Sequence, residues 1–118
     1  MNYSLRLDFH SKIVKTSDDR THRSTSVTVT THVGGKIVLS EAMARGLMAL
    51  PTTVSTAVPI GAVNVAVYTA HSLYTRYLVG FETERMSISL TAFGLDVANA
   101  LRASGVFPSQ SKIGRAHV

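Results

Sequence analysis

The sequence predicts an α+β fold, with an antiparallel β-sheet that begins in an N-terminal hairpin and a helix at the C-terminal end. Several segments rich in valine and threonine alternate between apolar and polar residues, which is typical of half-buried strands. Near the C-terminus the apolar residues recur instead at helical spacing. The 118 residues are enough for one hydrophobic core, so we expect a single domain.

The N-terminal part of the chain is predicted to form three strands. Residues 3–9 alternate between apolar and polar side chains, and residues 26–33, SVTVTTHV, do so again. The polar segment 15–23 between them contains two consecutive aspartates and is predicted to be a loop, which could be a long hairpin tip after a short strand at Ile13 and Val14. A Gly-Gly turn of the hairpin kind then precedes a short strand over 36–39.

The middle of the chain is predicted to hold a short helix and a further strand. Ser40 can cap a helix over 41–50 that Pro51 ends, although a glycine inside this segment leaves an extended conformation open. A loop over 51–59 follows by composition. Alternating valines then predict a strand over 61–70.

The last part of the chain is predicted to contain a long strand and the C-terminal helix. Residues 73–84, LYTRYLVGFETE, alternate again. Their alternation puts Tyr77, Val79 and Phe81 on one face, which we expect to be the apolar one. After a short alternating segment the spacing becomes helical, and Gly105 followed by a proline ends the helix.

The composition points to an anionic partner. The chain has 12 lysines and arginines against 7 aspartates and glutamates, a formal net charge of +5, which favours nucleic acid before a membrane surface. Cysteine is absent, so disulfides and thiolate zinc sites are excluded. The longest apolar stretch, 57–70, contains a proline, a glycine and an asparagine and is too short to span a bilayer. We therefore expect a soluble protein without membrane contact.

The sequence carries no motif of a known catalytic or metal site. Phosphate-binding glycine loops, nucleophile elbows and zinc-protease motifs are absent. Asp18, Asp19 and His22 could form a metal or acid-base cluster, but a polar hairpin tip explains them more simply. Glu82 and Glu84 would point to the same side of a strand, where a solvated sheet edge is the better interpretation. We predict that the protein is not an enzyme and uses no cofactor, metal or small-molecule substrate.

Polar side chains collect on one face of the predicted sheet. If the strands lie side by side, their polar positions bring together Ser26, Thr28, Thr30, His32, Asn64, Tyr68, Tyr74 and Arg76. Such a face is common as the solvated side of an antiparallel sheet, which is the simpler interpretation. It could also form a platform for single-stranded or looped RNA, on which rings stack against bases and short polar groups meet sugar and phosphate.

The opposite face of the predicted sheet is apolar. One well-formed helix is too little to cover such a face within a single chain. We therefore expect either a further C-terminal element or a partner chain to lie on it.

The order of the predicted elements carries a resemblance to a known family. The segments YTRYLVGFETE and AFGLDVANALRASGVFP form a long last strand and then a helix closed by glycine and proline. Together with the N-terminal hairpin and the antiparallel strands before them, they resemble the coat proteins of levivirus-type single-stranded RNA bacteriophages. Two features depart from that pattern: the helix predicted over 41–50 lies between strands, and a second C-terminal helix is missing or cut off.

The resemblance implies a viral coat subunit that dimerises, assembles into an icosahedral shell and binds genomic RNA, located in the virion after assembly in the bacterial cytoplasm. The C-terminal helix would then pack on the dimer partner, with Phe93, Val97 and Leu101 at the interface. The RNA-binding residues would be Thr28, Thr30, His32, Asn64, Tyr68, Tyr74 and Arg76. A small basic dimeric nucleic-acid-binding protein, such as a phage or plasmid regulator, is the alternative.

The last residues, SKIGRAHV, have two interpretations. They could be a basic tail that contacts phosphate. Residues 113–118 also back-translate, with ordinary codons, to ATC GGA AGA GCA CAC GTC, which resembles the start of a common sequencing adapter whose next codon in that frame is a stop. We therefore interpret residues 112–118 as an adapter scar. We place the coat-like domain at 1–111 and expect the natural chain to continue beyond Ser111.

Overall fold

The structure is a computed structural model that describes residues 5–15, 17–31 and 33–107, with the backbone alone for His22. Among these residues the chain forms two antiparallel sheets and three α-helices. The α+β class predicted from the sequence is confirmed, with its N-terminal hairpin and its C-terminal helix. The single predicted sheet is instead divided in two.

The N-terminal sheet, called the first sheet, has the strand order β1-β2-β3. Its strands are β1 (Arg6–Lys15), β2 (Thr21–Thr30) and β3 (Lys36–Leu39). The register places Phe9 opposite Val27 and Val27 opposite Leu39. These apolar side chains therefore share one face of the sheet, and that face is turned toward the core.

β1 and β2 are longer than predicted. The loop predicted over 15–23 is wrong at both ends, because β1 continues to Lys15 and β2 begins at Thr21. Ile13 and Val14 on β1 and Thr21 and Thr25 on β2 are β-branched, and such side chains suit paired strands even where the surface is polar. The hydroxyl groups of Ser11 and Thr25 also hydrogen-bond across the strands at 3.0 Å.

The first helix, α1, spans Glu41–Met48. It confirms the helix predicted after Ser40 and excludes the extended alternative for this segment. The Ser40 hydroxyl accepts a hydrogen bond from the backbone N–H of Met43 at 3.2 Å, as expected of an N-cap residue. Ala44 and Leu47, at helical spacing, are fully buried.

The second sheet lies in the C-terminal half of the chain and has the strand order β4-β6-β5. Its strands are β4 (Val58–Pro59), β5 (Val79–Glu82) and β6 (Ser87–Leu90). β5 is the last part of the strand predicted over 73–84, and β6 is the alternating segment before the C-terminal helix. Ile88 and Leu90 of β6 are buried, so this sheet also contributes to the core.

The strand predicted over 61–70 is wrong. The segment instead forms a 3-10 helix, Ile60–Ala62, and most of the second helix, α2, Val67–Thr75. The alternating valines suggested an extended chain, but the chain turns at Asn64, whose φ is +58°. Ala70 and Leu73 then face the core at helical spacing. α2 also takes up the first residues of the strand predicted over 73–84.

The third helix, α3, spans Ala92–Ser104 and confirms the predicted C-terminal helix. It ends at Gly105, whose φ of +70° is the left-handed conformation that favours glycine. Val97 and Leu101 are fully buried in the chain's own core, and Phe93 packs partly buried against it. Val97 and Leu101 are therefore not on the surface for the dimer contact that we predicted.

One hydrophobic core joins both sheets and all three helices. α1 lies at its centre, since it contacts β2, β3, α2 and α3. The largest fully buried side chains are Val27, Val29, Leu39, Leu47, Leu73, Leu78, Ile88, Leu90, Val97 and Leu101. The apolar face of the first sheet is thus covered within the single chain around Val27, Val29 and Leu39. The prediction that a single helix leaves this face uncovered is wrong, because three helices pack on the core.

The Thr91 side chain, at the N-cap of α3, hydrogen-bonds both to the first turn of α3 and to the segment that follows α2. The Thr91 hydroxyl accepts a hydrogen bond from the backbone N–H of Gly94 at 2.9 Å. The same hydroxyl can donate to the carbonyl of Tyr77 at 2.9 Å or of Leu78 at 3.0 Å. The backbone N–H of Thr91 also donates to the Leu78 carbonyl, at 3.2 Å. Thr91 therefore fixes the chain where α2 passes into β5.

We expect Thr91→Ala to lower the free energy of unfolding by about 2 kcal/mol, since it removes both the helix cap and the bond to a neighbouring carbonyl. Urea unfolding followed by circular dichroism would measure this loss. Thr91→Ser keeps the hydroxyl and is the matched control, for which we expect a clearly smaller loss. Equal losses in the two variants would show that the hydroxyl does not stabilise this junction.

Candidate nucleic-acid interface

The face of the first sheet that is turned away from the core, called the outer face, carries polar side chains in rows across the strands. The pairing places Arg6 opposite Thr30 and Thr30 opposite Lys36. Side chains in one such row point to the same face, and both cations are exposed. The Thr30 hydroxyl oxygen is buried and has no hydrogen-bond partner in the described part of the chain. An unpaired buried hydroxyl costs about 1–3 kcal/mol.

The next row on the outer face consists of Asp8, Thr28 and Val38. The Thr28 hydroxyl lies 3.4 Å from Nε2 of His10, which belongs to the following row of β1. The Asp8 carboxylate lies 3.5 Å from Nε of Arg6. Val38 is 54% exposed, so an apolar side chain lies open to solvent beside the two threonines.

The outer face is cationic. Lys12 has the same strand parity as Arg6 and is exposed further along β1. Together with Lys36 these residues supply three fixed positive charges, whereas Asp8 is the one carboxylate on this face within the described strands. The face therefore keeps an excess of positive charge that attracts anions.

Arg76, which we predicted on this face from a strand, reaches the first sheet from the end of α2. Its Nε donates to the carbonyl of Val38 at 3.1 Å, and its Nη1 donates to the carbonyl of Ser72 at 2.8 Å. One bond holds the side chain to its own helix, and the other holds it to the free edge of β3. The strand assignment is wrong, but the guanidinium group still lies at the border of the outer face.

α2 carries aromatic side chains on its solvent side. Tyr68 is 82% exposed and Tyr74 is 48% exposed. The centroid of the His71 ring lies 6.3 Å from that of Tyr74. A shallow hollow of about 240 Å³ is lined by Tyr68, His71, Ser72 and Thr75. Tyr68 and Tyr74 are thus open to a ligand, but from a helix and not from the sheet face on which we predicted them.

Asn64, also predicted on the sheet face, lies elsewhere. It lines a groove of about 960 Å³ between α1, the start of α2 and the end of α3. Arg45 and Arg102 line the same groove. The Arg45 side chain pairs with the Glu41 carboxylate at 3.0 Å, and Arg102 donates to the carbonyl of Met48 at 2.8 Å. These two arginines stabilise the helices of the groove.

Sequence reasoning placed some residues of the surface wrongly and missed others. Arg6 and Lys12 lie at alternate, polar positions of the first strand. The predicted polar face would have contained both residues if it had included that strand. Lys36 follows from the register of the hairpin. Tyr77, predicted on the apolar face, is instead 80% exposed. His32 lies outside the described residues.

The acidic cluster considered from the sequence is ion-paired. Asp19 lies 3.2 Å from Nζ of Lys15, and Asp18 lies 3.6 Å from Nε of Arg20. Within the residues that the structure describes, no group of 3 or more His, Cys, Asp or Glu side chains could hold a metal ion. The side chains of Asp18 and Asp19 are exposed at the hairpin tip, and the side chain of His22 lies outside the described part of the structure.

Comparison with protein-family models, curated proteins and solved structures finds no match. In the part of the chain that the structure describes, no helix combines the length and the apolar character needed to cross a membrane. The function is therefore inferred from the outer face and from α2.

Proposed function

We propose that the protein binds single-stranded RNA on the outer face of the first sheet. The observation that carries this proposal is the pattern of the face, where Arg6 and Lys36 flank Thr30, Thr28 lies in the next row, and Lys12 adds a third cation further along β1. Lysine and arginine side chains neutralise phosphates, and the release of counterions contributes a large share of the affinity. The short threonine side chains leave room for sugars and base edges between the cations.

The end of α2 extends this surface and favours a single strand over a duplex. Arg76 joins α2 to the edge of β3 through the Val38 carbonyl, at 3.1 Å. Tyr68 and Tyr74 stand exposed on the same helix. Unpaired bases can stack on such rings, whereas the bases of a duplex are already stacked inside it.

We further propose that this binding belongs to a coat subunit, which packages RNA inside the shell of an RNA bacteriophage. The order of an N-terminal hairpin, further antiparallel strands and a C-terminal helix supports this. A shell also needs surfaces on which copies of the chain meet. Ile13, Val33 and Val67 are apolar side chains exposed on the described surface, and they are available for contacts of this kind.

One observation favours the alternative, a small basic nucleic-acid-binding protein that acts as a regulator in a phage or plasmid. Val97 and Leu101 of α3 are fully buried in their own chain, whereas the resemblance implied a helix that covers a partner subunit. A chain that completes its own core can fold without a partner. The outer face would serve RNA binding in either case.

Electron microscopy of cleared lysate from cells expressing the chain separates the two proposals. A coat subunit is expected to give shells of uniform size that contain nuclease-protected RNA. A small species at high concentration that still binds an RNA oligonucleotide would overturn the coat proposal and support the regulator. Failure to bind RNA even at low salt, where phosphate contacts are strongest, would overturn RNA binding itself.

A further inference from the structure

Tyr77 holds a backbone conformation that its side chain disfavours. Its φ is +62°, in the left-handed region where a bulky residue is rare and glycine is preferred. It occupies the position directly after the α2 C-cap, Arg76. The backbone N–H of Tyr77 donates to the carbonyl of Tyr74 at 3.0 Å, and that of Leu78 donates to the carbonyl of Leu73 at 3.2 Å. This is a Schellman motif, which commonly has glycine where this chain has Tyr77.

The surroundings impose this conformation on the residue. Leu73 and Leu78, at the two positions between which this motif commonly forms a hydrophobic contact, are both fully buried in the core. The Thr91 hydroxyl lies 2.9 Å from the carbonyl oxygen of Tyr77. The turn is thus fixed from both ends by α2 and by the N-cap of α3.

The Tyr77 side chain is 80% exposed, so its packing does not offset the free-energy cost of this backbone conformation. Strained backbone held in place by its surroundings occurs preferentially at ligand-binding sites. Tyr77 directly follows Arg76, whose guanidinium group bonds to the edge of the first sheet. An exposed aromatic side chain therefore directly follows, along the chain, the arginine that bonds to the border of the outer face.

We propose that Tyr77 is a base-stacking residue, and that its ring receives an unpaired base of the RNA strand bound on the outer face. This inference rests on the proposed RNA binding and adds the base as a second recognised group beside the phosphates. Any base can stack on a phenol ring, since every base has a π-face. The contact therefore contributes affinity for single strands with little dependence on sequence.

The test compares Tyr77→Gly with Tyr77→Phe in binding and in thermal unfolding. The probes are a labelled unstructured RNA of about 12 nucleotides and an abasic oligomer of the same length, measured by fluorescence anisotropy. We expect Tyr77→Gly to raise the melting temperature, because glycine relieves the strain, and to weaken binding of the RNA about tenfold. Binding of the abasic oligomer should stay unchanged, and Tyr77→Phe should bind the RNA as the wild type does.

Met86→Gly is the matched control. Met86 also has a positive φ, +49°, and lies in the turn between β5 and β6. This variant should likewise raise the melting temperature, but it should leave RNA binding unchanged. The control therefore separates relief of strain from loss of the ring.

The possible failures are distinguishable. If Tyr77→Gly binds the RNA as tightly as the wild type does, the stacking role is overturned and RNA binding stands. An equal loss toward the RNA and the abasic oligomer would also overturn stacking, since the abasic oligomer has no base to receive. If the wild type binds neither oligomer, both this inference and the proposed function are overturned.

Discussion

Replacing Gly94 with alanine is expected to lower the free energy of unfolding by about 3 kcal/mol or more. Gly94 is buried in the first turn of α3, and a β-carbon added there would overlap the carbonyl group of Leu78. The obstacle is backbone, so no side chain can rotate to make room, and α3 would have to move away from β5. Urea unfolding followed by circular dichroism would measure the loss.

Gly61→Ala is the matched control for this substitution. A β-carbon added at Gly61 meets no atom within 4 Å, so we expect a change in stability within about 0.5 kcal/mol. If Gly94→Ala proved as stable as Gly61→Ala, the close approach of α3 to the chain before β5 would be contradicted. The junction that holds Tyr77 in place would be contradicted with it.

Removing the positive charge of the outer face is expected to produce the largest loss of RNA binding. In the variant Arg6→Gln, Lys12→Gln, Lys36→Gln we expect affinity for single-stranded RNA to fall about a hundredfold at 0.1 M salt. Each phosphate contact adds about 0.7 to the slope of log affinity against log salt. Three lost contacts therefore correspond to about two powers of ten in affinity at 0.1 M salt. The slope itself should become shallower by about 2. Anisotropy titrations at several salt concentrations would measure both quantities.

The control variant carries Lys15→Gln, Arg20→Gln and Arg85→Gln. It loses the same formal charge, but away from the outer face: Lys15 has the opposite strand parity, Arg20 lies at the hairpin tip, and Arg85 lies in the turn between β5 and β6. We expect a much smaller loss of affinity and little change in the salt slope. If both variants lost affinity equally, RNA would respond only to net charge, and the assignment of binding to the outer face would be contradicted.

The first sheet and α3 could be predicted because their sequence patterns agree with their burial. Val27 and Val29 alternate with threonines on β2, and the register places the valines in the core and the threonines outside. Leu101 recurs at helical spacing with Val97, and both are buried. In these elements the local preference and the tertiary environment favour the same structure.

α2 could not be predicted in the same way because its valines follow a period of two. Val63, Val65 and Val67 alternate as in a strand, but the chain turns between them at Asn64. What decides the helix is the packing of Ala70 and Leu73 on the core. These side chains contact elements distant in sequence, so tertiary contacts outweighed the local β preference.

The candidate site was only partly predictable for a related reason. Thr28 and Thr30 were found because strand parity determines their face. Arg76 was expected on the same face but reaches its border from a helix end, through the Val38 carbonyl. Tyr77 is itself the left-handed residue at that helix end. Glycine usually marks such a position in a sequence, and because this chain has tyrosine there, no local signal predicted the turn or the exposure of the ring.

The N-terminal hairpin extends past the end of β3, so the first sheet has a three-stranded part and a two-stranded part. Near Thr28 the sheet has three strands and rests on the core, whereas beyond Phe9 only β1 and β2 remain. In that distal part Lys12 and Ile13, which point to opposite faces, are both exposed. Such a two-stranded arm opens and bends at a lower free energy than the supported sheet. If RNA binds on the outer face as proposed, the threonine rows would form the rigid part of the binding surface, and the two-stranded part that carries Lys12 could bend to follow the phosphate backbone.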